Sequence, residues 1–131
     1  EGPVKDPVGV GMGNPHAVII VPDVEAAAVA SLGPAFQAAP DFPQGVNVGF
    51  MQVCAPDRIR LRVYERGAGE TLACGSGACA AVAAGRMHHG LGADVQVELK
   101  GGHLLIQWQG EDQPIWLTGP ATKVFAGSIE L

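Results

Sequence analysis

One run of this chain gathers most of the residues able to do chemistry: Tyr64-Glu65-Arg66-Gly67-Ala68-Gly69-Glu70-Thr71-Leu72-Ala73-Cys74-Gly75-Ser76-Gly77-Ala78-Cys79. Cys74 stands just before an alanine-rich stretch that reads as a helix. The first turn of a helix has unpaired backbone amides, and its dipole favours negative charge. Both stabilise a thiolate over a thiol, and the same amides can hold a substrate carboxylate. Gly75 and Gly77 let backbone come close to a ligand, and Ser76 adds a hydroxyl. A free cysteine is most often a small core residue. A helix mouth crowded with glycines is a poor place for that role, so Cys74 reads as reactive.

The other candidates are weaker by spacing. Cys79 lies five residues on, about 140° round the helix, inside the alanine-rich segment, and reads as packing. Cys54 shares a strand face with Val46, Val48, Phe50 and Gln52, with Asn47 pointing the other way, unless a bulge near Gly49 breaks the alternation. Glu65 ends the apolar face of its strand; it reads equally as a carboxylate reaching solvent or as one binding a cationic group. Arg66 fits a surface ion pair, or a carboxylate clamp beside an anion site. Asn14 in Gly13-Asn14-Pro15-His16 reads as an Asx-turn residue, and His16 as a hydrogen-bonded core histidine. His88 and His89 fall at a helix end and His103 in a turn.

The elements that must position these groups are short. His16–Val21 is an apolar run stopped by Pro22, a buried strand. Asp23 is expected to cap a helix through Glu25–Ala30 that Gly33-Pro34 ends. Phe42–Gly45 is a turn. Val46–Cys54 and Arg58–Glu65 are the clearest strands, joined through Pro56-Asp57. In the second, Ile59, Leu61, Val63 and Glu65 share one face, and Arg60, Arg62 and Tyr64 the other. Gly67–Gly75 reads as a glycine-rich loop and Ser76–His89 as a helix, with Gly90 as its stop. From Ala78 to Ala84 that helix has no polar face, which requires burial on all sides. Strands follow at Asp94–Lys100, His103–Trp108, Ile115–Thr118 and Lys123–Ile129. The first dozen residues, with Gly9, Gly11 and Gly13, read as irregular or edge structure. The fold class expected is α+β: a mixed, mostly antiparallel β-sheet rolled around one central apolar α-helix.

Composition agrees. The chain has 131 residues, enough for one domain, with 47% hydrophobic and 16% charged residues. Its 19 glycines are about twice the usual share of roughly 7%, which implies many turns. A net charge of −5 argues against nucleic acid or an anionic membrane as partner. No apolar stretch approaches the length of a membrane span, and no signal peptide is visible. Three cysteines fit no disulfide framework or zinc site, so reduced thiols in a cytoplasmic protein are expected. The start at Glu1, with no initiator Met, reads as a fragment or a processed product.

Four segments, in order, carry a resemblance: Gly13-Asn14-Pro15-His16-Ala17-Val18, Gly45-Val46-Asn47-Val48-Gly49-Phe50-Met51, Glu65–Ala80 with its Ala-Cys-Gly-Ser-Gly-Ala-Cys-Ala run, and Leu117-Thr118-Gly119-Pro120-Ala121. In these the chain resembles the C-terminal domain of diaminopimelate epimerase. The resemblance implies an amino-acid racemase mechanism without pyridoxal phosphate or metal, in which two cysteines flank the substrate α-carbon. One removes the α-proton as thiolate; the other returns a proton to the opposite face. Carried over, Cys74 matches one catalytic cysteine. Gly75 and Ser76 match the donors that hold the α-carboxylate, with Ser76 standing where many relatives have Thr. Asn14, Asn47 and Arg66 match substrate-binding residues. Glu65 matches a glutamate that binds substrate near the reacting centre, and His16 a histidine that supports proton transfer. The family's first domain, with the other cysteine, is not in the chain. The expectation is therefore a site between two domains, a fragment inactive alone, and a homodimer when full-length. Rival readings are a relative of the same rolled fold (proline racemase or the phenazine-biosynthesis isomerases), a cysteine hydrolase or acyltransferase using Cys74 and His16, and an inert binding domain.

Overall fold

The computed structural model describes residues 7–131. Eight strands and two helices follow the order β1 (Val8–Gly11), β2 (Pro15–Ile20), α1 (Val29–Gln37), β3 (Asn47–Ala55), β4 (Arg58–Glu65), β5 (Gly69–Thr71), α2 (Gly75–His88), β6 (Asp94–Leu99), β7 (Gly102–Trp108) and β8 (Ile115–Thr118). They form one sheet in the order β1-β2-β3-β4-β6-β7-β8, with β5 paired to β4. The β2/β3 and β4/β6 pairs are parallel and the others antiparallel. The mixed, mostly antiparallel α+β class read from the sequence is the class observed. The expected edge segment is β1; residues 1–6 of that stretch lie outside the described residues.

The strand period of two sorts side chains into two cores. On one face Val18, Met51, Ile59, Leu61, Val63, Val95, Val97 and Ile106 pack around α2. Every residue of α2 from Gly77 to Gly85 is buried, which is what its lack of a polar face demands. Gly85 is fixed by close packing: a Cβ there would lie 2.2 Å from Leu91 Cδ1. Gly90, at φ +75°, turns the chain so that Leu91 folds back over it, and the His89 and Leu91 amides both donate to Gly85 O. On the other face Ala17, Ile19, Val46, Val48 and Phe50 pack beneath Val24, Val29 and α1. The sheet thus wraps one helix and carries a second on its back.

Four local expectations are corrected. Asp23 does not start a helix at Glu25; its carboxylate accepts from Glu25 N in a local turn, and α1 begins at Val29. Side chains of the sheet hold the intervening backbone. Gln52 Oε1 accepts from Val24 N, and Arg62 Nη1 donates to Val24 O and Ala27 O. Nor does Gly33-Pro34 end α1. Gly33 is buried where a Cβ would meet Tyr64 Cγ at 2.5 Å, so the glycine admits the Tyr64 ring rather than stopping the helix. The stretch from Gly67 is not all loop, because Gly69–Thr71 folds back on β4 as β5. Lys123–Ile129 forms no strand: an isolated segment gains no ladder hydrogen bonds, and residues after Thr118 are exposed and irregular. In β3 the register slips between Val53 and Ala55, not near Gly49, so Cys54 sits at the irregularity.

Candidate active site

The register of the sheet brings the site together. His16 on β2 pairs with Asn47 on β3. The β3/β4 register, Val48 with Tyr64, sets Asn47 beside Glu65 in the same row. Glu65 pairs with Gly69, and Val63 with Thr71. Residues opposite one another share a face. His16, Asn47, Glu65 and Thr71 therefore lie on the face that holds α2, at the end of the sheet from which the chain enters that helix.

Cys74 is the N-cap of α2, in extended backbone at φ −149°. Its sulfur accepts from Gly77 N at 3.3 Å, and Ser76 Oγ lies 3.6 Å away. A cap normally uses a side-chain oxygen. Here sulfur takes that place and accepts the amide of the first turn. A Cβ on Gly77 would crowd Cys74 Sγ at 3.2 Å, so the glycine eases this contact. Gly75 is exposed, with Leu117 against it, and Ser76 is half-buried. Cys74 itself is half-buried, open enough to react. Cys79 differs. It is buried, and burial, with the nearby Cys74 as a smaller cause, pushes its thiol up from the ordinary range.

His16 is only 2% exposed, and its Nε2 pairs with Asn14 Oδ1 at 3.0 Å. Burial lowers its pKa and outweighs the opposing charge of nearby Glu65, so the imidazole is neutral at neutral pH. His16 is thus a hydrogen-bonded core histidine, near enough to Glu65 to feel its charge. Asn47 is also buried, and its amide ties two segments together. Nδ2 donates to Pro15 O at 3.3 Å, and Oδ1 accepts from Arg66 N at 2.8 Å. The Arg66 side chain is exposed, lies across Gly45 and donates to Gln44 O. Thr71, to which sequence reasoning gave no role, donates its hydroxyl to Glu65 Oε2. Its diagonal place opposite Glu65 in a hairpin could have signalled this, had Gly69–Thr71 been read as a strand.

Among the described residues, no group of three or more His, Cys, Asp and Glu side chains is placed to hold a metal ion. A groove of about 420 Å³ opens on the opposite face of the sheet, lined by Val24, Glu25, Arg60, Glu98, Lys100 and His103. Its charges pair with one another, Arg60 with Glu25 and Glu98 and His103 with Glu98. Cys74 is at the helix mouth and does not line this groove.

The model of the family described as diaminopimelate epimerase matches residues 8–124. The chain belongs to the diaminopimelate epimerase family. Relatives named diaminopimelate epimerase include those of Nitrosomonas europaea, 59% identical over 122 residues, and Halorhodospira halophila, 62% identical over 122 residues. The relative from Alkalilimnicola ehrlichii is 58% identical over 131 residues, all of this chain but 47% of its own length. The first two matches cover 93% of this chain and 44% and 42% of the relatives. This diaminopimelate epimerase-family chain therefore spans about half the length of the curated relatives it matches. Solved structures share the fold at low identity. A Bacillus anthracis phenazine biosynthesis protein of the PhzF family has a TM-score of 0.58 and 21% identity, over 87% of this chain and 38% of that one. An Enterococcus faecalis PhzF-family protein has a TM-score of 0.59 and 15% identity, over 82% and 40%.

Proposed function

We propose that the protein to which this chain belongs interconverts LL- and meso-diaminopimelate, with Cys74 as one of two thiols that exchange the α-proton. The observation that carries this is Cys74 itself: a half-buried thiol capping a buried helix, with an amide on its sulfur, in a chain about 60% identical to relatives named for that reaction. An amino-acid α-proton is far less acidic than a thiol. Its removal needs donors aimed at the carboxylate, where the carbanion's charge is delocalised. The free amides at Gly75 and Ser76, with the Ser76 hydroxyl, supply them. The thiolate at one face takes the α-proton, leaving the electron pair on the substrate; a thiol at the other face delivers a proton to that carbon. Neither step calls on a cofactor or a metal. His16 and Glu65 support proton transfer, and Asn14, Asn47, Glu65 and Arg66 bind the substrate.

One thiol at one helix mouth cannot serve both faces of a carbon. Cys79 is buried within α2, and Cys54 lies seven residues along β3 from Asn47, about 23 Å at ~3.3 Å per residue. The second thiol comes from the remainder of the longer protein, an N-terminal domain that covers the mouth beside exposed Leu72 and Leu117. A cytoplasmic homodimer completes this reading. Among the described residues, no helix is long and apolar enough to cross a membrane. A hydrolase reading would need a base on Cys74. His16 Nε2 instead pairs with Asn14, while the Cys74 sulfur meets Gly77 and Ser76.

The test is Cys74→Ala in the full-length protein, assayed for LL-to-meso conversion and for α-proton exchange with deuterated water. Removing the proton-transfer group is expected to slow both by at least about 10²–10⁴-fold. Near-normal turnover by the variant would refute the assignment.

A further inference from the structure

We propose that Thr71 is a positioning residue for this reaction: its hydroxyl holds the Glu65 carboxylate toward the helix mouth. The inference rests on the epimerase reading and extends it to a residue that does not itself touch the reacting atoms. Three observations support it. Thr71 Oγ1 donates to Glu65 Oε2. The pairing of Val63 with Thr71, and of Glu65 with Gly69, puts Thr71 diagonally across from Glu65 on the α2 face, where side chains of neighbouring strands meet. Finally, Thr71 lies three residues before Cys74, and its hydroxyl also approaches Ala73 O at 3.5 Å, so the same side chain spans the end of β4 and the entry to α2.

Glu65 needs such support because it is the last residue of β4, where the strand gives way to the turn at Gly67. A carboxylate on a strand end has several open rotamers. Thr suits the task, since its branched Cβ restricts χ1 and fixes where the hydroxyl points. Valine has the same shape and no hydroxyl, and serine keeps the hydroxyl with a looser rotamer. A residue that sets geometry for proton transfer affects kcat more than substrate affinity.

The experiment uses the full-length protein and steady-state kinetics of LL-to-meso conversion. Thr71→Val is expected to lower kcat about tenfold, the weight of one hydrogen bond to a charged group, with KM within about twofold. Thr71→Ser is expected within about threefold of the parent, because the hydroxyl returns. Should Thr71→Val not fold, Thr71→Ala carries the same comparisons. Parent-like kcat in the variant without the hydroxyl overturns the proposal. So does Thr71→Ser as slow as that variant. A wild-type protein with no conversion at all would instead overturn the epimerase reading.

Discussion

Asn47 shows at the residue scale how one buried side chain ties two segments together. It is 5% exposed, and its amide serves one backbone carbonyl and one backbone amide from different strands. An amide nitrogen has two hydrogens, so one remains for a ligand. Asn47→Leu leaves Pro15 O and Arg66 N without that partner in a part-buried place. We expect a loss of about 1–3 kcal/mol, read from the shift in the urea midpoint; an unchanged midpoint would show that water replaces both bonds. His16 makes the same point. Spacing alone assigned it to the core, and it is buried there, paired with Asn47 across β2 and β3. Arg66, by contrast, is held by its backbone amide, and its exposed side chain lies across Gly45 and donates to Gln44 O.

At the scale of elements, the β4–β5 hairpin carries Glu65, Thr71 and the approach to Cys74. On its other face Arg62 grips Glu70 with two bonds of 2.7 Å, and Lys100 adds a third at 2.9 Å. The Arg62 guanidinium, with Lys100 behind it, holds the Glu70 carboxyl down at about 2. Because the folded value is depressed, the pair's stabilisation is fully present above the unfolded carboxylate range near 4.5 and is lost as pH falls toward about 2. Glu70→Gln should therefore cost about 1–2 kcal/mol at neutral pH and progressively less below pH 4.5, measured by urea unfolding across that range. A cost that stayed constant with pH would show that the hairpin is held by something other than this charge pair. The helix α2 was legible because an all-apolar surface has one destination. The hairpin was not, because a strand of three residues, Gly69–Thr71, is too short to show a period. The misplaced start of α1 has a similar origin: Gln52 and Arg62, distant in sequence, bind the backbone that a capping Asp23 would have turned into helix.

At the scale of the molecule, the chain spans 42–47% of three relatives it matches, and Cys74 is half-buried at the start of α2. Leu72 is 68% exposed and Leu117 44%, both beside the mouth, while Val124, Phe125 and Ile129 are more than 80% exposed in the irregular tail. Apolar surface of this kind marks places where another part of a protein packs. On the proposed two-thiol mechanism, the 131-residue chain alone is expected to give no LL-to-meso conversion under conditions where the full-length protein turns over. Conversion by the isolated chain, followed by chiral chromatography, would overturn the two-domain reading.

The sequence by itself determined the α+β class, the buried α2, most strand positions and the place of Cys74 at the start of that helix. Each of these depends on local pattern: apolar period, turn residues, and glycines around a helix start. Only the tertiary structure decided which groups meet. The parallel β2/β3 register places His16 beside Asn47, the β4–β5 pairing aims Thr71 at Glu65, and Tyr64 fills the space that Gly33 leaves open. These are contacts between segments far apart in the chain or joined by a turn too short to read, and local propensity carries no information about them.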